Sequence, residues 1–161
     1  MMGLDMYLRR KAYVKCWKSD DSGVKDATKV DILVRVTYPD GTSDSADYSV
    51  ANPESGVDIS MPVAYWRKAN AIHRWFIQNC ANGQDDCRER SVSVEQLMEL
   101  KHLCEQVLED HSKAAELLPT QDGFFFGSTN YDEYYFHDLK HTVEALSNLD
   151  EGYWYEYQAS W

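Results

Sequence analysis

The sequence predicts a single α+β domain over residues 1–161, in which three helices pack on an antiparallel sheet of three or four strands. Three observations predict this fold. The chain has 161 residues, 43% of them hydrophobic, which suffices for one packed core and is short for two domains. Both ends of the chain alternate between apolar and polar side chains, as half-buried strands do. The middle carries helical periodicity, and strands followed by helices are typical of α+β domains.

The first element is a strand over residues 3–17. Leu4, Met6 and Leu8 alternate with more polar residues, so one face of this strand is apolar. The segment that follows, 19–28, is polar and predicts a loop.

A β-hairpin is predicted next. Its first strand, 29–38, is rich in β-branched side chains. Pro39 and Gly41 favour a tight turn, because proline presets φ and glycine accepts a positive φ. The returning strand, 43–50, is polar, which is typical of an edge strand, and the whole segment 18–60 is a candidate mobile flap.

The first helix is predicted over residues 62–80, after a loop at 51–60. A proline falls in its first turn, where no backbone N–H is needed. Apolar side chains then recur every three or four residues and share one arc. Arg67, Asn70 and Arg74 lie along one flank of this helix.

A capping-box signature marks the second helix, predicted over residues 94–110 after a charged loop at 81–91. Ser93 and Gln96 stand at the spacing at which each side chain bonds the other residue's backbone N–H. A short helical turn at 112–118 ends at the following proline.

The third helix is predicted over residues 131–148, with Asn130 and Glu133 at its N-terminal cap. Residues 153–161 alternate again, with tyrosines on one face, and predict the final strand. The amphipathic faces of the three helices are expected to supply most of the core.

Composition and charge exclude several classes of protein. The chain holds 16 Lys and Arg against 27 Asp and Glu, a net charge of −11, which argues against general binding to nucleic-acid backbones. No apolar run approaches the roughly 18 residues of a membrane span, and no leader peptide is recognisable. Four cysteines without a CxxC pair indicate reduced thiols in the cytoplasm.

The charge is unevenly distributed along the chain. Residues 61–90 hold five basic and three acidic side chains, a net charge of +2, whereas residues 91–161 hold three and 14, a net charge of −11. One positive segment therefore stands in an acidic chain.

Three long stretches carry a resemblance to known proteins: MGLDMYL at 2–8, YWRKANAIHRWF at 65–76 and GFFFGSTNYDEYYFHDL at 123–139. The ending Tyr157–Trp161 is similar too. Together they resemble a family of small uncharacterised proteins from tailed bacteriophages and prophages. The resemblance implies a phage genome and action inside a bacterial cell, and it implies no particular reaction.

The positive segment is the first candidate site. Arg67, Asn70 and Arg74 flank His73, and arginine offers a rigid fork of donors that fits phosphate or carboxylate. We expect the arginines to neutralise a small anionic, nucleotide-like ligand and the asparagine to orient it. The alternative is structural, with His73 in the core bonded to a backbone carbonyl and the arginines paired with the acidic half of the chain.

The stretch GFFFGST is the second candidate. Ser128 and Thr129 are expected to offer hydroxyls and backbone N–H groups to a phosphate. Together with Tyr131 and Asp132, they are expected to face the positive segment. The stretch is not a P-loop, because no GK[ST] follows. The alternative is a core strand, and the acids at the start of the third helix oppose an anion.

Two patterns of metal-ligating residue types could hold a metal ion. Asp132, Glu133 and His73, together with Asp85 and Asp86, could form a Mg²⁺-assisted hydrolytic site on a phosphate ester. The alternative is the usual acidic bias of a helix start.

His137 and His141 share a helix face at the i, i+4 spacing of zinc proteases, but Asp138 replaces the usual glutamate. No third ligand presents itself there, and a solvated helix face is favoured.

The sequence thus predicts a cytoplasmic phage accessory protein, without a cofactor or a bound metal, that binds a host component or a small anionic ligand. Host takeover or blocking of an antiviral system suits such a protein. The alternatives are the metal-dependent hydrolase and a protein-interaction module, for instance a homodimer through the aromatic final strand. Mimicry of DNA by the acidic half is a minor hypothesis.

Overall fold

A computed structural model describes residues 3–161, so Met2, the first residue of the MGLDMYL motif, lies outside the described residues. The α+β class is confirmed, with eight strands and four α-helices in the described part of the chain. The chain divides into two compact units. One unit joins the N-terminal segment up to Ala12 with Ser60–Trp161, and the other is Tyr13–Ile59.

A four-stranded sheet with the order β6-β1-β8-β7 has most of its residues in the larger unit. Its strands are listed in that order: Gly56–Arg67, Asp5–Lys15, Trp154–Ser160 and Arg90–Val92. The predicted first and last strands are confirmed, and they pair antiparallel, with Met6 opposite Ala159 and Leu8 opposite Tyr157. Strand β7 begins inside the loop predicted over 81–91. The sequence does not indicate this strand, because three residues are too few to show a period.

The predicted helix at 62–80 and loop at 51–60 are wrong at their boundary. Strand β6 continues to Arg67, and helix α1 covers only Asn70–Cys80. Apolar and polar side chains also alternate over residues 56–67, and the backbone of this strand pairs with β1 on one side. Pro62 is tolerated there because β6 is the edge strand, where a missing N–H need not break the ladder.

The later helices agree with the sequence. Helix α2 covers Val94–Glu109 with the predicted capping box, a 3₁₀ turn at His111–Lys113 runs into the short α3 (Ala114–Leu117), and α4 covers Glu133–Ala145. The predicted cap of α4 is wrong by two residues. Asp132 is the N-cap, because its carboxylate accepts two backbone N–H groups of the first turn, each at 3.1 Å.

The core of this unit packs the apolar face of β1 and β8 against α1, α2 and α4. Its fully buried side chains include Leu8, Trp66, Phe76, Leu97, Leu139 and Tyr157. The Phe76 and Tyr157 rings stack with centroids 3.9 Å apart. Each such side chain contributes about 1.5–3 kcal/mol on burial, so the sheet face and the three helices fix one another.

The smaller unit holds two hairpins, β2 (Trp17–Asp20) with β3 (Gly23–Asp26) and β4 (Lys29–Thr37) with β5 (Ser43–Ala51). The predicted hairpin after residue 29 is confirmed, and Gly41 at its turn has a φ of +84°. The predicted loop at 19–28 is wrong, since most of it forms β2 and β3. That this segment moves as a flap stays a prediction.

Candidate functional site

A cavity of about 250 Å³ opens in the larger unit where β6 ends and α1 begins. The loop after residue 120 and the first half of α4 form the rest of its wall. Its charged and polar lining includes Arg67, Lys68, Asn70, Ser128, Asp132 and Asp138. Four of these six are site residues predicted from the sequence, in two stretches more than 50 residues apart: Arg67 and Asn70 in the first, Ser128 and Asp132 in the second.

A left-handed turn at Lys68 connects β6 to α1. Lys68 has a φ of +60°, a conformation uncommon for residues other than glycine, asparagine and aspartate. Its backbone N–H donates to the Leu4 carbonyl at 2.8 Å, and its own carbonyl accepts from the Asn70 N–H at 2.9 Å. The turn ends the strand with two consecutive cationic residues, Arg67 and Lys68, in the lining of the cavity.

The N-terminus of α1 lies in the same wall and is uncapped. Its N-cap residue is Ala69, no side chain caps it, and no acidic residue stands in its first turn. Among residues 3–161, the backbone N–H groups of Ala71 and Ile72 donate to no protein acceptor. Because the first N–H groups of a helix carry partial positive charge, this end of the cavity is electropositive.

The Asn70 side chain forms hydrogen bonds to the loop after residue 120, which is part of the cavity wall. It is 4% exposed, and its Nδ2 donates to the carbonyls of Phe126, at 3.0 Å, and Ser128, at 2.8 Å. Its Oδ1 accepts from the Gln121 N–H at 3.1 Å. Both amide donors are therefore occupied, so Asn70 shapes the cavity instead of orienting a ligand as the sequence suggests.

Gly127 lets that loop approach the left-handed turn closely. Its φ is +87°, and a Cβ placed there would lie 3.0 Å from the Cβ of Lys68. A side chain at this position would thus be strained by its backbone and crowded by the lysine.

Two carboxylates of α4 complete the lining. Asp132 is engaged as the N-cap of α4. Asp138 is half-buried, and burial raises the pKa of its carboxyl to about 6, with Asp132 acting in the same direction and His137 and His141 opposing it. Asp138 was noticed in the sequence only as the residue beside a histidine pair. Its place one turn after Tyr134 and Tyr135, on the face of α4 that lines the cavity, is the signal that could have found it.

His73 does not line the cavity. It is fully buried, with Nδ1 2.8 Å from the Tyr157 hydroxyl and Nε2 2.9 Å from Asp85 Oδ2. The other oxygen of Asp85 accepts from Trp161 Nε1 at 3.1 Å, and burial raises the pKa of Tyr157 well above its usual value. His73 thus lies in the core, as its structural alternative expects, but its partners are a hydroxyl and a carboxylate and not a backbone carbonyl.

Three further predicted residues also lie outside the lining. Arg74 is half-buried farther along α1. The Thr129 carbonyl accepts from the Thr120 hydroxyl at 3.0 Å, and the Tyr131 ring packs on Tyr135 with centroids 5.0 Å apart. The structure therefore brings Arg67, Asn70, Ser128 and Asp132 together, without His73, Arg74, Thr129 and Tyr131.

The metal-ligating patterns do not assemble. Within residues 3–161, no three His, Cys, Asp or Glu side chains form a group that could hold a metal ion. His141 bonds the Tyr65 carbonyl at 3.0 Å, and His137 is exposed.

Two other properties of the described chain bear on its partners. No helix there combines the length and apolarity needed to cross a membrane. Strand β8 lies between β1 and β7, and the three residues of β7 pair with its segment Tyr155–Tyr157, while a homodimer through this strand stays a prediction.

Comparison with protein families, curated proteins and solved structures finds no match.

Proposed function

We propose that the protein binds a small anionic ligand in the cavity between β6, α1 and α4. The observation that carries the proposal is the convergence of Arg67, Lys68 and the uncapped N-terminus of α1 on one cavity wall. Arginine, lysine and exposed helix N–H groups are the donors that proteins use for phosphate and carboxylate, and a cavity strengthens them by limiting water.

The left-handed backbone at Lys68 supports the proposal independently. Such a conformation costs about 1–3 kcal/mol and persists where the surrounding structure enforces it, often at ligand sites. Here the Leu4 carbonyl and the Asn70 N–H hold it from both sides. Among residues 3–161 the Lys68 ammonium forms no ion pair, so its charge remains available to a ligand.

The size of the cavity limits the ligand. Its volume of about 250 Å³ lies just below the roughly 300–1,000 Å³ typical of sites for drug-sized molecules. We therefore expect a ligand of about the size of a sugar phosphate or a nucleoside monophosphate. Tyr134 lines the cavity and is 74% exposed, which leaves a ring face for stacking.

The resemblance to phage proteins supports a biological setting for this site. A small phage protein that captures an anionic metabolite or signal inside the bacterial cell would serve host takeover or the blocking of an antiviral system.

Isothermal titration calorimetry tests the proposal with inorganic phosphate, a sugar phosphate and AMP. Replacing Lys68 with alanine should weaken binding about 10- to 100-fold, because a hydrogen bond to a charged group contributes roughly 1.5–3 kcal/mol. Lys140→Ala is the matched control, since Lys140 is exposed on α4 and outside the cavity. Absence of binding by all three anions, or equal effects of the two variants, would refute the proposal.

A further inference from the structure

The carboxylate of Asp138 stands in the cavity wall without a donor from the described part of the protein. It is half-buried in the cavity wall, and burial raises its pKa. No described residue donates a hydrogen bond to it or forms an ion pair with it. Its oxygens are not among the buried polar atoms that lack a partner, so solvent or a ligand in the cavity can reach them as acceptors.

The fold itself does not use this carboxylate. Only the backbone carbonyl of Asp138 has a role, accepting from the Thr142 hydroxyl at 2.7 Å, and that hydroxyl in turn accepts from Trp66 Nε1 at 2.9 Å. Any residue at position 138 would supply that carbonyl. The side chain therefore remains available as an acceptor to a ligand in the cavity that it lines.

We infer that Asp138 recognises hydrogen-bond donors of the ligand, so that the ligand class is a phosphate monoester carrying free hydroxyl groups, such as a ribonucleotide or a sugar phosphate. This inference rests on the proposed function. Arg67 and Lys68 line the cavity from the end of β6 and take the anionic group. The acceptor on α4 requires donors elsewhere in the same molecule, and vicinal hydroxyls present two such donors to the two oxygens of one carboxylate.

The electrostatic surroundings set the protonation behaviour of this contact. Burial raises the pKa of Asp138, His137 and His141 on α4 lower it, and Asp132 at the cap of α4 raises it, while Arg67 and Lys68 line the same cavity. Donors bind the ionised carboxylate better than the neutral acid. Recognition of hydroxyls should therefore weaken as the pH falls through about 6.

AMP and its 2′,3′-dideoxy analogue test this inference directly. The two differ only in the vicinal hydroxyls and share one phosphate, so the ratio of their affinities cancels the ionisation of the phosphate. At pH 7.5 the protein should prefer AMP by about tenfold or more. The near-isosteric Asp138→Asn variant should reduce that preference to less than about threefold. The wild-type preference should fall at pH 5, and that of the variant should not.

Glu133→Gln is the matched control, because Glu133 is an exposed acid on the same helix and does not line the cavity. It should keep the full preference for AMP. If the wild type binds both nucleotides equally, or if Asp138→Asn keeps the preference, the inference is wrong. Lys68→Ala still weakening both nucleotides would then leave the proposed function standing. Binding of neither nucleotide, nor of inorganic phosphate, would overturn both.

Discussion

Replacing His73 with phenylalanine is expected to destabilise the protein by about 2–4 kcal/mol and to leave ligand binding unchanged. The variant removes the bonds of 2.8 Å to Tyr157 and 2.9 Å to Asp85. The Tyr157 side chain is 1% exposed, so its hydroxyl would lose its partner without gaining water, at about 1–3 kcal/mol. Asp85 is 22% exposed and keeps the bond from Trp161, so its loss is nearer 1 kcal/mol.

Urea unfolding followed by tryptophan fluorescence measures this cost. His102→Phe is the matched control, because His102 is exposed on α2 and should change stability by less than about 0.5 kcal/mol. A double-mutant cycle with Tyr157→Phe should give a coupling free energy near 1 kcal/mol. A cost for His73→Phe below about 0.5 kcal/mol, or loss of anion binding in the folded variant, would refute the assignment of this histidine to the core.

Two further predictions concern the cavity wall. Gly127→Ala should cost about 1–2 kcal/mol in thermal melts and weaken phosphate binding, because its φ of +87° disfavours a Cβ, which would also press on Lys68; an unchanged melting temperature would contradict this reading of the loop. Asp138→Asn should stabilise the free protein at pH 7.5, with the gain disappearing near pH 4. The folded-state pKa of about 6 lies above the usual value of 3.8, so the folded wild type binds the extra proton between these values and loses stability as the pH rises through them. Paired unfolding curves at the two pH values measure the difference, and a gain of equal size at both would show that ionisation is not its cause.

The sequence predicts the ends of this chain well because their signal is local. Met6 and Leu8 alternate with polar neighbours, and the strand that this period indicates is the strand observed. The capping box of Ser93 and Gln96 is equally local, since its two residues stand three apart, and both of its hydrogen bonds are present.

The boundary between β6 and α1 shows where local patterns fail. Residues 62–67 fit both periods, and the choice between strand and helix depends on β1, some 55 residues earlier. Nothing in the sequence announces that Lys68 is left-handed, because lysine has no preference for that conformation. The prediction therefore placed Arg67 and Asn70 on one helix flank, whereas they belong to a strand end and a helix start.

Some features of the cavity are visible in the local sequence, and others depend on the fold. Charge and hydrogen-bonding capacity at Arg67, Ser128 and Asp132 are visible as residue types, and all three line the cavity. The role of each residue in the cavity is not visible from its type. Only the fold shows that the Asn70 amide is occupied by three backbone groups and that Asp138, passed over as a solvated residue, faces inward.

The pairing of β1 with β8 has a consequence for how the molecule is made. Asp5 stands opposite Ser160 in the ladder, so β1 is synthesised about 150 residues before its partner β8. Contacts of such long sequence separation slow folding, because loop closure must precede the gain from pairing. On the ribosome the edge of β1 that pairs with β8 thus stays unpaired until β8 has emerged, and chaperones that shield nascent chains would have a substrate there.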